Sequence, residues 1–184
     1  SCSSSHRAVD GLVDLIESNS LKACDIKKIT VGMSKPAMRE LVTPYPENGE
    51  EAKFSIGFQI GLYLNGIENM PENYTKDIIY KPEVQDIIQK TSMYNKTDYD
   101  DLPSDMGVGP ALVTIETTDG RTISKEQIYP VGHLTNPMSD RQIYEKYLKC
   151  SESIIGKENA DALYDLLFAL ENVENMQIVT KLTY

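Results

Sequence analysis

The most apolar stretch of the chain, residues 54–64 (FSIGFQIGLYL), limits the choice of fold more than any other segment. Its large apolar residues alternate strictly with other residues, and that pattern alone indicates a β-strand. Two features favour a helix instead. Gly57 and Gly61 lie four residues apart and would give a helix a small face for close packing, and Asn65-Gly66 is a typical helix stop. The acidic lead-in at residues 49–51 suits the amino end of such a helix.

Patterns of the first third of the chain predict one more helix and a strand. Apolar residues recur at helical spacing over residues 9–16, and the serines ahead of them are candidate caps. Residues 25–35 alternate, with Ile29, Val31 and Met33 on one face, as in a half-buried strand. Residues 36–49 contain three prolines and indicate a long polar connection.

The rest of the chain predicts further helices and one hairpin. Residues 82–89 form a short helix with proline at its start. After a polar loop at 96–109, the runs 111–117 and 121–129 are joined by a turn that contains Asp-Gly, which is a hairpin signal. Ser139 and Gln142 form a capping box for the next helix. A last long helix carries an apolar stripe from residue 160 to 173.

These elements predict an α+β fold in which a small, mostly antiparallel sheet has helices packed on one side. The length of 184 residues suits a single domain over 1–184, with room for a small satellite.

Charge and cysteine content exclude several functions. The net charge of −10 is spread along the chain and argues against binding to nucleic acid or to an anionic membrane, because both require clustered cations. The longest apolar stretch is too short to span a bilayer. The three cysteines include no CxxC pair, which predicts a reducing compartment, and we expect the cytoplasm.

Few residues have an obvious chemical role. The two histidines, His6 and His133, are too distant in sequence for a local metal motif, and a site built from Cys2 and His6 would offer only two ligands, so no metal site is predicted. Gly107-Val108-Gly109 precedes a strand rather than a helix, so it does not indicate a phosphate-binding loop. His133 lies in a sequence typical of a turn.

His6 is the stronger catalytic candidate. It follows Ser3, Ser4 and Ser5 at the start of a helix, where N–H groups and hydroxyls favour an anion and an imidazole can transfer protons near neutral pH. The simpler alternative is a surface or capping histidine. Lys53 is a candidate substrate ligand, although a lysine at such a position is more often solvated or ion-paired.

Four stretches, in order, resemble one protein family. They are residues 2–10 (CSSSHRAVD), residues 51–55 (EAKFS) with 62–66 (LYLNG), residues 119–121 (DGR), and residues 132–140 (GHLTNPMSD) followed by Lys146-Tyr147. Together they look like the small carboxy-terminal domain of the MmgE/PrpD family, which includes 2-methylcitrate dehydratases, cis-aconitate decarboxylases and iminodisuccinate epimerases. The resemblance also supports the choice of a helix for residues 54–64.

The resemblance implies an enzyme of two domains, of which this chain is the second and a larger helical domain precedes it. It implies a lyase or isomerase that acts on small di- or tricarboxylates without a cofactor and that commonly forms homodimers. Of the family's site residues, it carries over His6 as the catalytic group and Ser3, Ser4, Ser5 and Lys53 as substrate ligands. We expect these residues to face a cleft between the two domains, so that this chain alone would be inactive.

Two other interpretations of the whole chain stay open. One is a non-enzymatic acidic α+β module that binds a protein partner through an apolar face. The other is a parent protein that kept the fold and lost its activity, because folds outlast functions.

Overall fold

The computed structural model describes residues 1–102 and 109–184. The described chain divides into two compact units, residues 1–131 and 132–184. Part of the loop predicted at 96–109, including Gly107 and Val108, lies outside the described residues. The single domain inferred from length stays a prediction. None of the helices among the described residues has the length and apolar character needed to cross a membrane.

The first unit contains six α-helices and four strands among its described residues. They are α1 (Ser3–Ser18), β1 (Ile26–Met33), α2 (Lys35–Glu40), α3 (Gly49–Ala52), α4 (Ile56–Leu64), α5 (Lys76–Ile79), α6 (Pro82–Lys90), β2 (Thr91–Asn95), β3 (Ala111–Thr117) and β4 (Thr122–Gln127).

The four strands form one sheet in the order β2-β1-β3-β4. Strand β1 is antiparallel to β3, and β3 is antiparallel to β4, whereas β1 and β2 run parallel. The predicted α+β class and mostly antiparallel sheet are therefore confirmed, as is the hairpin, in which Gly120 has a positive φ of 92°. Strand β2 was not predicted, because this five-residue edge strand is polar and mostly exposed, so it has no apolar alternation to reveal it.

One face of the sheet is buried against helices. Ile29 and Val31 of β1 and Val113 of β3 are fully buried. Helix α1 lies over β3 and β4. It approaches closely at Gly11, where an added Cβ would be 3.0 Å from Val113 Cγ2. The alternation that predicted β1 thus arises because only one of its faces enters the core.

Residues 56–64 form the predicted buried helix, α4, despite their strand-like alternation. Side chains all around its axis are buried, so its sequence carries no helical stripe. Gly57 and Gly61 face α6, where an added Cβ would lie 2.9 Å from Ile88 Cα and 3.1 Å from Val84 Cγ1, respectively. The predicted small-residue face is therefore confirmed.

The amino ends of three helices differ from the prediction. The acidic residues at 50–51 belong to a separate short helix, α3. The two helices are separate because the backbone of Ser55 is extended, and the Ser55 side chain caps α4 by accepting from the Phe58 N–H. The serines expected to cap α1 lie inside its first turn, and Cys2 is the N-cap. Residues 36–40 of the predicted polar connection belong to α2, which Ser34 caps and which has proline in its first turn.

The second unit contains the helices α7 (Asp140–Ile155), α8 (Lys157–Phe168) and α9 (Met176–Lys181). The capping box of Ser139 and Gln142 opens α7 as predicted. The predicted long helix is shorter than expected, because α8 ends at Phe168 and residues 170–173 lie outside it. Within this unit Tyr164 packs against the rings of Tyr144 and Phe168, with centroids 4.9 Å and 4.5 Å away.

Candidate active site at the amino end of α1

The first turn of α1 offers a positively polarised helix end. The first N–H groups of any helix lack partners within the helix, and the aligned peptide dipoles attract an anion there. Within the described part of the chain, the side chain of the N-cap residue Cys2 makes no capping hydrogen bond, and the first turn holds no acidic residue. No side chain of α1 itself therefore neutralises this helix end.

His6 lies in this first turn and is exposed. Its Nε2 atom is 3.3 Å from the Oγ of Ser1. An exposed imidazole beside a polarised helix end can reach a bound carboxylic acid and exchange a proton with it. The catalytic role itself stays a prediction.

The first two serines of the predicted site differ in exposure. Ser3 is exposed, whereas Ser4 is buried and its hydroxyl donates to the carboxylate of Glu40 in α2. Glu40 therefore places a negative charge beside the first turn of α1. Its position could not be predicted from the sequence, since α2 itself lay in a presumed loop.

Ser5 is fully buried and connects α1 to α4. Its hydroxyl lies 2.7 Å from the carbonyl oxygen of Cys2 and 3.0 Å from Oε1 of Gln59. Among the described residues, the amide Nε2 of Gln59 is buried and has no hydrogen-bond partner. Gln59 was not singled out from the sequence, although a glutamine in so apolar a segment was a signal that its amide has a specific partner.

Lys53 joins the same site through its backbone. Its carbonyl oxygen accepts a 2.9 Å hydrogen bond from the N–H of Cys2, so the link between α3 and α4 lies against the start of α1. The Lys53 ammonium pairs with the carboxylate of Glu50 at 2.7 Å and keeps its side chain 44% exposed. The structure thus brings Lys53 to the first turn of α1, and the ion pair expected of a lysine here is present.

Two further residues of α1 hold the segment that follows β4. The buried Arg7 donates from Nε to the carbonyl oxygen of Ile128 at 2.8 Å. The Asp10 carboxylate accepts from the N–H of Val131 at 2.7 Å. Burial raises the pKa of Asp10, while the Val131 hydrogen bond and the positive charges of His6 and Lys125 act in the opposite direction.

His133 forms a local turn in the second unit. Its Nδ1 accepts from the Thr135 N–H at 3.1 Å. The backbone of His133 also forms an isolated antiparallel β-bridge with Asn136. The prediction of a turn residue is confirmed. Over residues 1–102 and 109–184, no group of three or more His, Cys, Asp or Glu side chains is placed to hold a metal ion.

A groove of about 410 Å³ lies between α1 and α4. Val9, Val13, Tyr63 and Ile67 line it together with Gln59. Its walls are largely apolar, so it does not suit a polycarboxylate, and His6 is not among its lining residues.

A comparison of the sequence with known families found a match. The family model of the MmgE/PrpD C-terminal domain matches residues 1–170. The chain therefore belongs to the MmgE/PrpD family, as its carboxy-terminal domain, and the family is one of lyase- and isomerase-type enzymes. A search of curated proteins found no match.

Proposed function

We propose that this chain forms one wall of the active-site cleft of a lyase or isomerase that acts on small di- or tricarboxylates. The observation that carries this proposal is the assembly at α1: an exposed His6, a helix end without a side-chain cap, and Lys53 held against Cys2. His6 and the helix end belong to one segment and Lys53 lies about fifty residues further along the chain, and the backbone hydrogen bond between Cys2 and Lys53 that joins the two segments supports the proposal.

The chemistry of such substrates fits this arrangement. Removing a proton from a carbon next to a carboxylate requires a base near that carbon and fixed positive groups at the carboxylate. In our proposal His6 transfers the proton. The N–H groups of the first turn, the hydroxyls of Ser3, Ser4 and Ser5, and Lys53 hold a carboxylate; for the buried Ser4 and Ser5 this requires a change of hydrogen-bond partner.

The overall charge makes local cations essential. A chain with a net charge of −10 repels a polyanionic substrate at long range. Lys53 is therefore important despite its pairing with Glu50, because a substrate carboxylate could take over part of that interaction. Further cations would come from the preceding helical domain, which we propose as the second wall, in a homodimeric enzyme of the cytoplasm.

The test is a turnover assay of the full-length protein with 2-methylcitrate, cis-aconitate and iminodisuccinate, followed by NMR. Loss of water, loss of carbon dioxide and inversion of a stereocentre give different product spectra, so one method separates the three reactions. We expect turnover of one of these acids by the full-length protein. We expect none by the 184-residue chain alone, because one wall cannot orient the substrate or exclude water.

Two outcomes would contradict this proposal. Turnover by the 184-residue chain alone would show that the second wall is not needed. A full-length protein that neither binds nor converts any small polycarboxylate would favour the non-enzymatic interaction module.

A further inference from the structure

Asp10 and His6 lie on the same side of α1. They are four residues apart in the helix, and side chains at this spacing are neighbours one turn from each other. The two groups interact electrostatically, and His6 is one of the charges that stabilise the ionised form of Asp10.

The Asp10 carboxylate is held in place. It accepts the Val131 N–H at 2.7 Å, and the residue is only partly exposed. A carboxylate that is fixed and partly removed from water acts on a neighbouring charge more strongly than a mobile surface carboxylate does, because solvent screens it less.

Other charged groups on the elements around α1 have partners of their own, and Glu40 and Lys125 also lie near this pair. On α2, Glu40 accepts from Ser4. On β4, Lys125 bonds to Asp14 at 2.6 Å and also acts on Asp10. At the end of α3, Lys53 pairs with Glu50.

On α4, the Tyr63 hydroxyl donates to Glu17, close to the opposite end of α1 from His6. Asp10 is the carboxylate that lies one turn from His6 on the same side of α1.

We propose that Asp10 is a positioning residue that orients the His6 imidazole and favours its protonated form. The partial positive charge at the amino end of α1 disfavours an imidazolium there, and the carboxylate of Asp10 offsets it. A histidine that must take a proton from carbon then remains basic enough beside a site built for anions. The catalytic consequence rests on the proposed function, whereas the electrostatic coupling does not.

The experiment measures the titration of His6 by NMR in the 184-residue chain and in three variants. Asp10→Asn removes the charge but keeps an oxygen that can accept the Val131 N–H, and Asp10→Ala removes both. Asp14→Asn removes the same charge from the same helix two turns beyond His6 and is the matched control. Because the chain has two histidines, His133 serves as an internal reference whose resonances should be the same in every variant.

We expect Asp10→Asn to lower the midpoint of the His6 titration by roughly 0.3 pH unit or more, which is the shift expected from a helical charge pair. Asp10→Ala should lower it at least as far, and Asp14→Asn, which also frees the Lys125 ammonium that acts on Asp10, should move it less than Asp10→Asn does. An Asp10→Asn midpoint equal to that of the unmodified chain would overturn the proposal, as would an equal shift in Asp14→Asn.

A second measurement needs no substitution and so does not depend on the variants folding. In the unmodified chain, the ¹³C shift of the Asp10 carboxyl should show an additional inflection at the His6 midpoint. A curve without that inflection would overturn the coupling. If the coupling is present and the full-length protein converts none of the acids, the proposed function fails and the electrostatic pairing stands.

Discussion

The backbone N–H of Cys2 donates a 2.9 Å hydrogen bond to the carbonyl oxygen of Lys53. This bond joins the two family-like segments that contain the candidate site residues. Because it is a backbone interaction, it depends on the path of the chain rather than on either side chain. The link between α3 and α4 thus positions Lys53 at the start of α1 whatever the charge state of the site.

The hydrogen bond between Ser5 and Gln59 should contribute measurably to stability. Ser5→Ala leaves Oε1 of Gln59 buried without its donor, and we expect a loss of about 1–3 kcal/mol in the free energy of unfolding. Ser3→Ala, the same change at an exposed position of the same turn, should cost less than about 0.5 kcal/mol. Urea denaturation of both variants measures the difference.

A double variant separates this bond from other effects of removing the hydroxyl. Replacing Gln59 by methionine in the Ser5→Ala background removes the buried amide and should restore much of the lost stability. If Ser3→Ala and Ser5→Ala are equally stable, the bond between α1 and α4 does not contribute as the structure indicates.

The contact between α4 and α6 should distinguish two glycines. Gly57→Ala would bring a methyl group to 2.9 Å from the Cα of Ile88, which cannot move without its helix, and should cost about 1–3 kcal/mol. Gly61→Ala would meet Val84 Cγ1 first, at 3.1 Å, and a side chain can shift, so its cost should be smaller. Thermal unfolding of the two variants tests this order, and an inverted order would contradict the packing described for α4.

Asp119, in the turn of the β3-β4 hairpin, should make the stability of the fold depend on pH in the acid range. Hydrogen bonds from the Thr117 hydroxyl and then from the Arg121 side chain and N–H lower the pKa of Asp119 from 3.8 to about 2. Because the pKa is lower in the folded chain, this contribution to stability is complete above the ordinary pKa. It is lost as the pH falls from about 4 to about 2.

The melting temperatures of Asp119→Asn and the unmodified chain should therefore differ most above pH 5 and converge near pH 2. The carboxyl ¹³C titration of Asp119 gives the same information directly, and Thr117→Val should move its midpoint upward. A midpoint at the ordinary value of 3.8 in the unmodified chain would contradict the hydrogen-bonded turn.

The sequence was sufficient to predict elements that have one buried face or a defined cap. Strand β1 and the helix opened by Ser139 are of this kind. Helix α4 needed other signals, because a helix buried on all sides has no polar face and its apolar residues can alternate by chance. There the four-residue spacing of Gly57 and Gly61 carried the information, since it reflects the close contact with α6.

The site was less predictable than the fold. His6 and Lys53 could be named from their segments, but their proximity depends on a backbone bond that no local pattern encodes. Glu40 and Gln59 act through Ser4 and Ser5 across tertiary contacts, so no local spacing indicates these pairings. Strand β2 was missed for a related reason, because an exposed polar edge strand is specified by its partner β1.

The most direct test of the proposed cleft compares His6→Gln with His133→Gln in the full-length protein, using the acid that the unmodified enzyme converts. Both variants should fold normally, since His6 is exposed and His133 lies in a local turn. We predict that His6→Gln lowers kcat by about 10²–10⁴-fold, the usual contribution of a proton-transfer group, and that His133→Gln leaves it unchanged. Unchanged turnover by His6→Gln would contradict the assignment of this histidine to the active site.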